Sequence, residues 1–191
     1  MTAATAIVLS ANPVTLVVPG VTVLGSVQRI GKPGQLHDAR LNAVLQVDTP
    51  YCFFLDDDDE LPADYLSVLG ECIARDAALA YTHELVRQAG KPDRISKSGT
   101  YTREKHLACP MLVHHLAVMR TVDAQAAVHR VPRGEFWTEM LLYAELAKTS
   151  AAYVDRIGYI WNRGNGVNSQ PKFIIAQMAS ATYCNQEAVC H

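Results

Sequence analysis

Residues 53–62, FFLDDDDELP, concentrate the acidic chemistry of this chain. The four consecutive carboxylates of Asp56, Asp57, Asp58 and Asp59 repel one another, and folding them together is unfavourable unless a cation neutralises them. Hard oxygen ligands of this kind suit Mg²⁺ or Mn²⁺, which keep water or substrate phosphate in their remaining coordination positions. The apolar residues 51–55 (YCFFL) in front of the acids read as a short central strand buried on both faces. The carboxylates then stand at the carboxyl end of a strand, where ligands collect in open α/β sheets. The competing reading is an acidic loop that caps the next helix through its N-terminal dipole. A rigid buried strand directly before the acids favours the ligand reading.

A second group is the histidine pair His114 and His115, set in the apolar stretch 110–120. Adjacent residues on a strand point to opposite faces, so in that geometry at most one faces a cleft, where it would touch an acceptor or a phosphate. The alternative for each is a structural histidine satisfied within the core.

These residues need elements to hold them. Residues 5–9, 15–18 and 21–24 are short β-branched runs separated by Asn-Pro and Pro-Gly, and they read as strands. From Gln35 the period changes, with Leu36, Ala39, Ala43, Val44 and Val47 on one helical face. Thr49-Pro50 ends that helix. Leu61-Pro62 opens another helix to about Arg75, with Pro62 in its first turn. Residues 77–82 and 152–161 read as strands, residues 136–148 as a helix, 88–99 and 162–171 as loops, and a last helix begins near Phe173. Alternating strands and helices predict a single α/β/α sandwich domain over residues 1–191, built around a mainly parallel sheet.

Composition narrows the class. The chain has 191 residues, 49% hydrophobic and 19% charged, which is a globular composition. A net charge of −2 offers no global attraction to nucleic acid or acidic membranes. The five cysteines form no CxxC, which points to reduced thiols and a cytoplasmic location. No charge precedes Arg29, but Pro13, Pro19 and Gly20 break the apolar run before it reaches the ~20 residues of a membrane span.

Residues 38–45 (DARLNAVL) followed by YCFFLDDDDELPADYL resemble the core of family 2 glycosyltransferases, enzymes of the GT-A fold. In that family a helix of Ala-Arg-Asn type leads to a strand ending in Leu-Asp-x-Asp-Asp. The resemblance implies that Asp56 and Asp58 bind a divalent ion, Mn²⁺ or Mg²⁺, with the diphosphate of a UDP- or GDP-sugar, and that Asp59 is the acid that follows. It places Asp57, Arg40 and Asn42 near the donor, with a solvated helix face as the other reading of Arg40 and Asn42. Residues 134–146 (GEFWTEMLLYAEL) and 159–169 (YIWNRGNGVNS) resemble the family's acid-bearing helix and its later arginine loop. Glu139 then falls near the catalytic base, although Thr138-Glu139-Met140 replaces the usual Glu-Asp pair. Glu135 lies one turn earlier and could share the cleft. Arg163 and Ser169 are placed in a loop that folds over the diphosphate or is simply a turn. Residues 1–37 contain no Asp or Glu, so contacts to the nucleoside stay unassigned.

The expected function is metal-dependent transfer of a sugar from a nucleotide-sugar donor to an acceptor hydroxyl, with inversion. A carbohydrate or lipid-linked acceptor is the default. The basic residues from Arg87 to Lys105 leave a modified nucleic acid as a lesser candidate. A non-catalytic binding protein on the same scaffold is the first alternative. A haloacid-dehalogenase-like phosphatase is the second, weakened by Glu60 at a position where that family has Thr or Val.

Overall fold

The computed structural model describes residues 3–10, 16–27, 35–109, 112–134, 137–164 and 182. Among the described residues seven strands form one sheet, in which β1 (Ala4–Ser10), β2 (Thr22–Val27), β3 (Tyr51–Asp56), β4 (Leu79–Arg87) and β7 (Ala151–Asn162) all run in one direction. The short strands β5 (Arg94–Ser96) and β6 (Ala117–Arg120) run against them. Long parallel registers therefore dominate, as the alternating pattern implies. β1 lies between β2 and β3, β6 joins β3 to β4, and β7 covers the far edge of β4. Because β3, β4 and β7 are parallel, Asp56, Arg87 and Asn162 end at the same edge of the sheet.

Side chains alternate across this sheet and build two cores. Ile7, Phe54 and Tyr81 face the helices α1 (Gln35–Val44), α4 (Thr121–Val128) and α5 (Thr138–Ala147). Val8, Phe53, Leu55 and Tyr159 face helix α2 (Tyr65–Ala74) on the other side. The result is an α/β/α sandwich. β3 is buried from Cys52 to Leu55, as a wholly apolar central strand requires. On α1 the apolar face is as read from the period, with Ala39, Ala43 and Val44 buried and Val47 buried just beyond the helix.

Several elements differ from the sequence expectation. The helix expected at Leu61-Pro62 starts at Tyr65, because Glu60 and Ile160 exchange backbone hydrogen bonds of 3.1 and 2.9 Å that tie the chain to β7 first. The region expected as a loop at 88–99 contains β5, which returns along β4 as a hairpin. Helix α3 (Arg103–Ala108) is capped by Thr102, whose hydroxyl accepts from the Lys105 amide at 3.2 Å. α4 has almost no amphipathic period and is held by packing of Ala124, Ala127 and Val128. Residues 16–18 are irregular rather than strand. The helix expected from Phe173 lies outside the described residues.

β7 packs tightly against β4 at Gly158, where a Cβ would stand 2.5 Å from the Thr82 hydroxyl oxygen. The register between the two strands shifts at this point. Among the described residues Cys52, Cys72 and Cys109 are free, and burial pushes the Cys52 and Cys72 thiols up to about 12, which makes them unreactive. No helix among the described residues is long and apolar enough to cross a membrane.

Candidate functional site

The site is built where β3 runs out. Its hydrogen-bonded pairing with β1 carries the chain as far as Asp56. Asp59 then closes a turn through its amide to the Asp56 carbonyl at 3.2 Å. That turn gathers one carboxylate oxygen each from Asp56, Asp58 and Asp59 within 4.8 Å of one another. Asp57 is exposed and stands outside this trio.

Two residues of β7 fix the turn. The Tyr159 hydroxyl donates to Asp59 Oδ2 at 2.9 Å and accepts from the Asp56 amide at 3.0 Å. The Asn162 amide donates to Asp59 Oδ1 at 2.7 Å, and its side chain donates to the Asp58 carbonyl at 2.9 Å. Burial pushes the Asp59 carboxyl up to about 6, against the lowering effect of the Asn162 amide and the Tyr159 hydroxyl. Burial also raises the Asp58 carboxyl, and the charge of Asp57 adds to that shift. These carboxylates are held together at an electrostatic cost, as in a site formed to receive a cation.

Beneath the turn lies a charged chain inside the protein. Arg40 on α1 donates to Asp56 Oδ1 with one nitrogen and to Glu139 Oε2 on α5 with another. The Tyr143 hydroxyl donates to Glu139 Oε1 at 3.0 Å. Glu139 is buried, with both carboxylate oxygens engaged. α5 turns this carboxylate, the expected catalytic base, into the interior, where it holds Arg40.

His115 fills the space between the two acids, its Nε2 3.8 Å from Asp56 Oδ2 and its Nδ1 3.8 Å from Glu139 Oε1. Its ring stacks on Tyr159 with centroids 4.5 Å apart. Burial, with the nearby His114 and Arg40, pushes its imidazole well below the ordinary range, so it is neutral. His114 is half-buried beside it, the two ring centroids 3.9 Å apart. The two histidines precede β6 and so do not alternate as strand neighbours would. His114 Nδ1 lies 2.8 Å from Glu84 Oε2 on β4.

The other expected residues divide. Asn42 is exposed on the outer face of α1, where its side-chain oxygen accepts from Arg133 at 2.6 Å, away from the acids. Arg40 and Asn42 are two positions apart and cannot share a helix face. Arg163 is exposed, its guanidinium 5.3 Å from the Trp161 ring. Glu135 and Ser169 lie outside the described residues. Tyr159, Asn162, Tyr143 and Glu84 were not singled out in the sequence. Glu84 carried a usable signal, since it is a carboxylate inside a strand, separated by two residues from the apolar run 77–81 and directly before Leu85-Val86.

No protein-family model matches the chain, and no curated protein matches it in sequence. Solved structures do match. The structure of S. aureus TarS residues 1–349 in complex with UDP-GlcNAc superposes with a TM-score of 0.55 at 15% identity, covering 77% of this chain and 43% of that one. The fold is GT-A-like. TarS 1–349 in complex with UDP gives 0.51 at 14% identity, covering 75% of this chain and 44% of TarS. A further TarS 1–349 structure gives 0.51 at 12% identity, with the same coverage. This chain thus spans under half the length of the protein it resembles, and the likeness is one of fold.

Proposed function

We propose that this GT-A-like chain is a glycosyltransferase unit that takes a UDP- or GDP-sugar and delivers the sugar to an acceptor hydroxyl with inversion. The observation that carries the reading is the convergence of Asp56, Asp58 and Asp59 at the carboxyl edge of the sheet. A fold neighbour bears UDP-GlcNAc in one structure and UDP in another, which supports a nucleotide-sugar donor.

The trio fits a divalent ion: it offers three hard oxygen ligands, two of them on carboxyls raised by burial. Asp56, Asp58 and Asp59 would hold Mn²⁺ or Mg²⁺. When bound, the ion supplies Lewis-acid neutralisation of the departing nucleoside diphosphate. Arg40 aligns Asp56 from below by taking Oδ1 and leaving Oδ2 for the site. Tyr159 and Asn162 aim Asp59. Arg163, exposed beside Trp161, is the cation proposed to meet the diphosphate. A carbohydrate or lipid-linked alcohol is the proposed acceptor.

The engagement of Glu139 favours a second reading, in which the chain binds a nucleotide sugar without turning it over. One experiment addresses both. Calorimetry with UDP-GlcNAc and with a GDP-sugar, each with and without Mn²⁺, is followed by an assay for release of nucleoside diphosphate. We expect Mn²⁺-dependent binding that Asp58→Asn abolishes while the fold survives. Unchanged affinity in Asp58→Asn refutes the metal site. Binding with no release selects the binding-only reading.

A further inference from the structure

The structure leaves a different side chain open to accept a proton. Glu84 and His114 form a buried carboxylate–imidazole pair, their side chains 4% and 14% exposed. Glu84 Oε2 takes Nδ1 of the ring, and Glu84 Oε1 is buried without a hydrogen-bond partner among the described residues. Among the described residues Glu84 makes no other ion pair. His114 Nε2 has no protein partner among the described residues. Glu139 differs in each respect, since Arg40 and Tyr143 occupy both of its oxygens.

Aromatic rings surround the histidine. Trp137 stands edge-on with ring centroids 6.3 Å away, and Trp161 lies edge-on at 5.3 Å. Trp161 belongs to β7, two positions beyond the tyrosine that braces Asp59. The half-buried Trp161 indole beside a polar acceptor suits a sugar, whose C–H face packs on the ring while its hydroxyls find the polar group.

We propose, resting on the transferase reading, that His114 is the general base for a sugar acceptor and that Glu84 is its positioning residue. The acceptor hydroxyl oxygen bonds to the anomeric carbon. The bond from that carbon to the diphosphate oxygen breaks, and its electron pair leaves on the diphosphate. The hydroxyl proton passes to His114 Nε2. Glu84 fixes the tautomer by accepting from Nδ1–H, and its carboxylate stabilises the imidazolium that forms.

The charges around the ring agree with this role. Burial lowers the His114 imidazole, but the charge and hydrogen bond of Glu84 on β4 and the charge of Glu139 on α5 outweigh it, so the net shift is upward. Arg40 on α1 acts in the opposite sense, His115 beside it is neutral, and Asp59 faces it from the turn after β3.

The test uses the full chain, UDP-GlcNAc with Mn²⁺, and the variants His114→Gln and Glu84→Gln. Both tryptophans of the chain flank His114, so their emission reports its protonation without any turnover, because imidazolium quenches indole. His114→Gln should abolish the pH-dependent quenching, and Glu84→Gln should move it to lower pH. In the UDP-release assay His114→Gln should keep donor affinity within about two-fold and lose roughly 10²–10⁴-fold in rate, the contribution of a general base. The acid limb of the Glu84→Gln rate profile should move to lower pH together with its emission. Release by His114→Gln at the wild-type rate overturns the base and leaves the transferase reading intact. Quenching that persists in His114→Gln, or wild-type binding without release, also overturns it. A wild-type chain that binds no UDP-GlcNAc with Mn²⁺ removes the donor reading on which the proposal rests.

Discussion

Arg40 and Glu139 lie 99 positions apart in the sequence and form an ion pair with side chains 3% and 2% exposed. The same guanidinium continues to Asp56, so a helix on one face of the sheet is linked electrostatically to the acidic turn at its edge. The 5.3 Å approach of Arg40 to the Phe54 ring adds a cation–π contact from β3. This chain of charges sets the position of the first metal-ligand candidate.

Glu139→Gln tests that structural role directly. Removing one partner of a buried ion pair costs about 3–5 kcal/mol, because the remaining charge loses its compensation. Asp56 still pairs with Arg40 in the variant, so a loss near about 3 kcal/mol is expected. Urea unfolding of the metal-free protein measures it. A stability change within ~0.5 kcal/mol, as for an ordinary surface substitution, would return Glu139 to its expected role as an unencumbered base.

Asp59 gives a pH signature. Its carboxyl is raised from the ordinary carboxylate range to about 6, chiefly by burial. A raised folded-state value means that this group's contribution to stability is fully present below its unfolded value and is lost as pH rises through about 6. Asp59→Asn should therefore melt at a higher temperature than the metal-free wild type at pH 8, and the difference should shrink as pH falls below 6. With Mn²⁺ present the order should reverse at pH 8, because the ion stabilises only the wild type by mass action. A constant difference across this pH range contradicts the assignment.

Tyr159→Phe separates the turn from the core. The ring and its stacking on His115 persist, while the Asp56 amide and Asp59 each lose a 3.0 or 2.9 Å partner. Leaving a buried donor unsatisfied costs about 1–3 kcal/mol. Loss of an outer support for a metal ligand typically weakens metal affinity by about 10–100-fold. Calorimetric titration with Mn²⁺ and UDP reads the second effect. Undiminished affinity would mean that Asn162 alone orients Asp59.

Local pattern was enough for much of the scaffold. The continuous apolar run before Asp56, bounded by Pro50 and the acids, fits a strand covered on both faces, and the three-and-four spacing from Ala39 to Val47 fits a helix with one buried side. Those two facts already place carboxylates at a sheet edge. α3, α4 and β5 were not legible, because their short segments have weak periods and are stabilised by what they pack against. Long-range contacts decided the rest of the site. Asn42 looked equivalent to Arg40 in the sequence, but a helix turns about 100° per residue, so Arg40 enters the core and Asn42 meets solvent. Glu139 had the right type and spacing for a base, yet α5 points it at Arg40. Glu84 and His114 meet only because β4 and the segment before β6 are brought side by side, 30 positions apart in the sequence. Residue type determined which groups can carry charge and accept protons; the crossing of strands and helices determined which of them already have a partner.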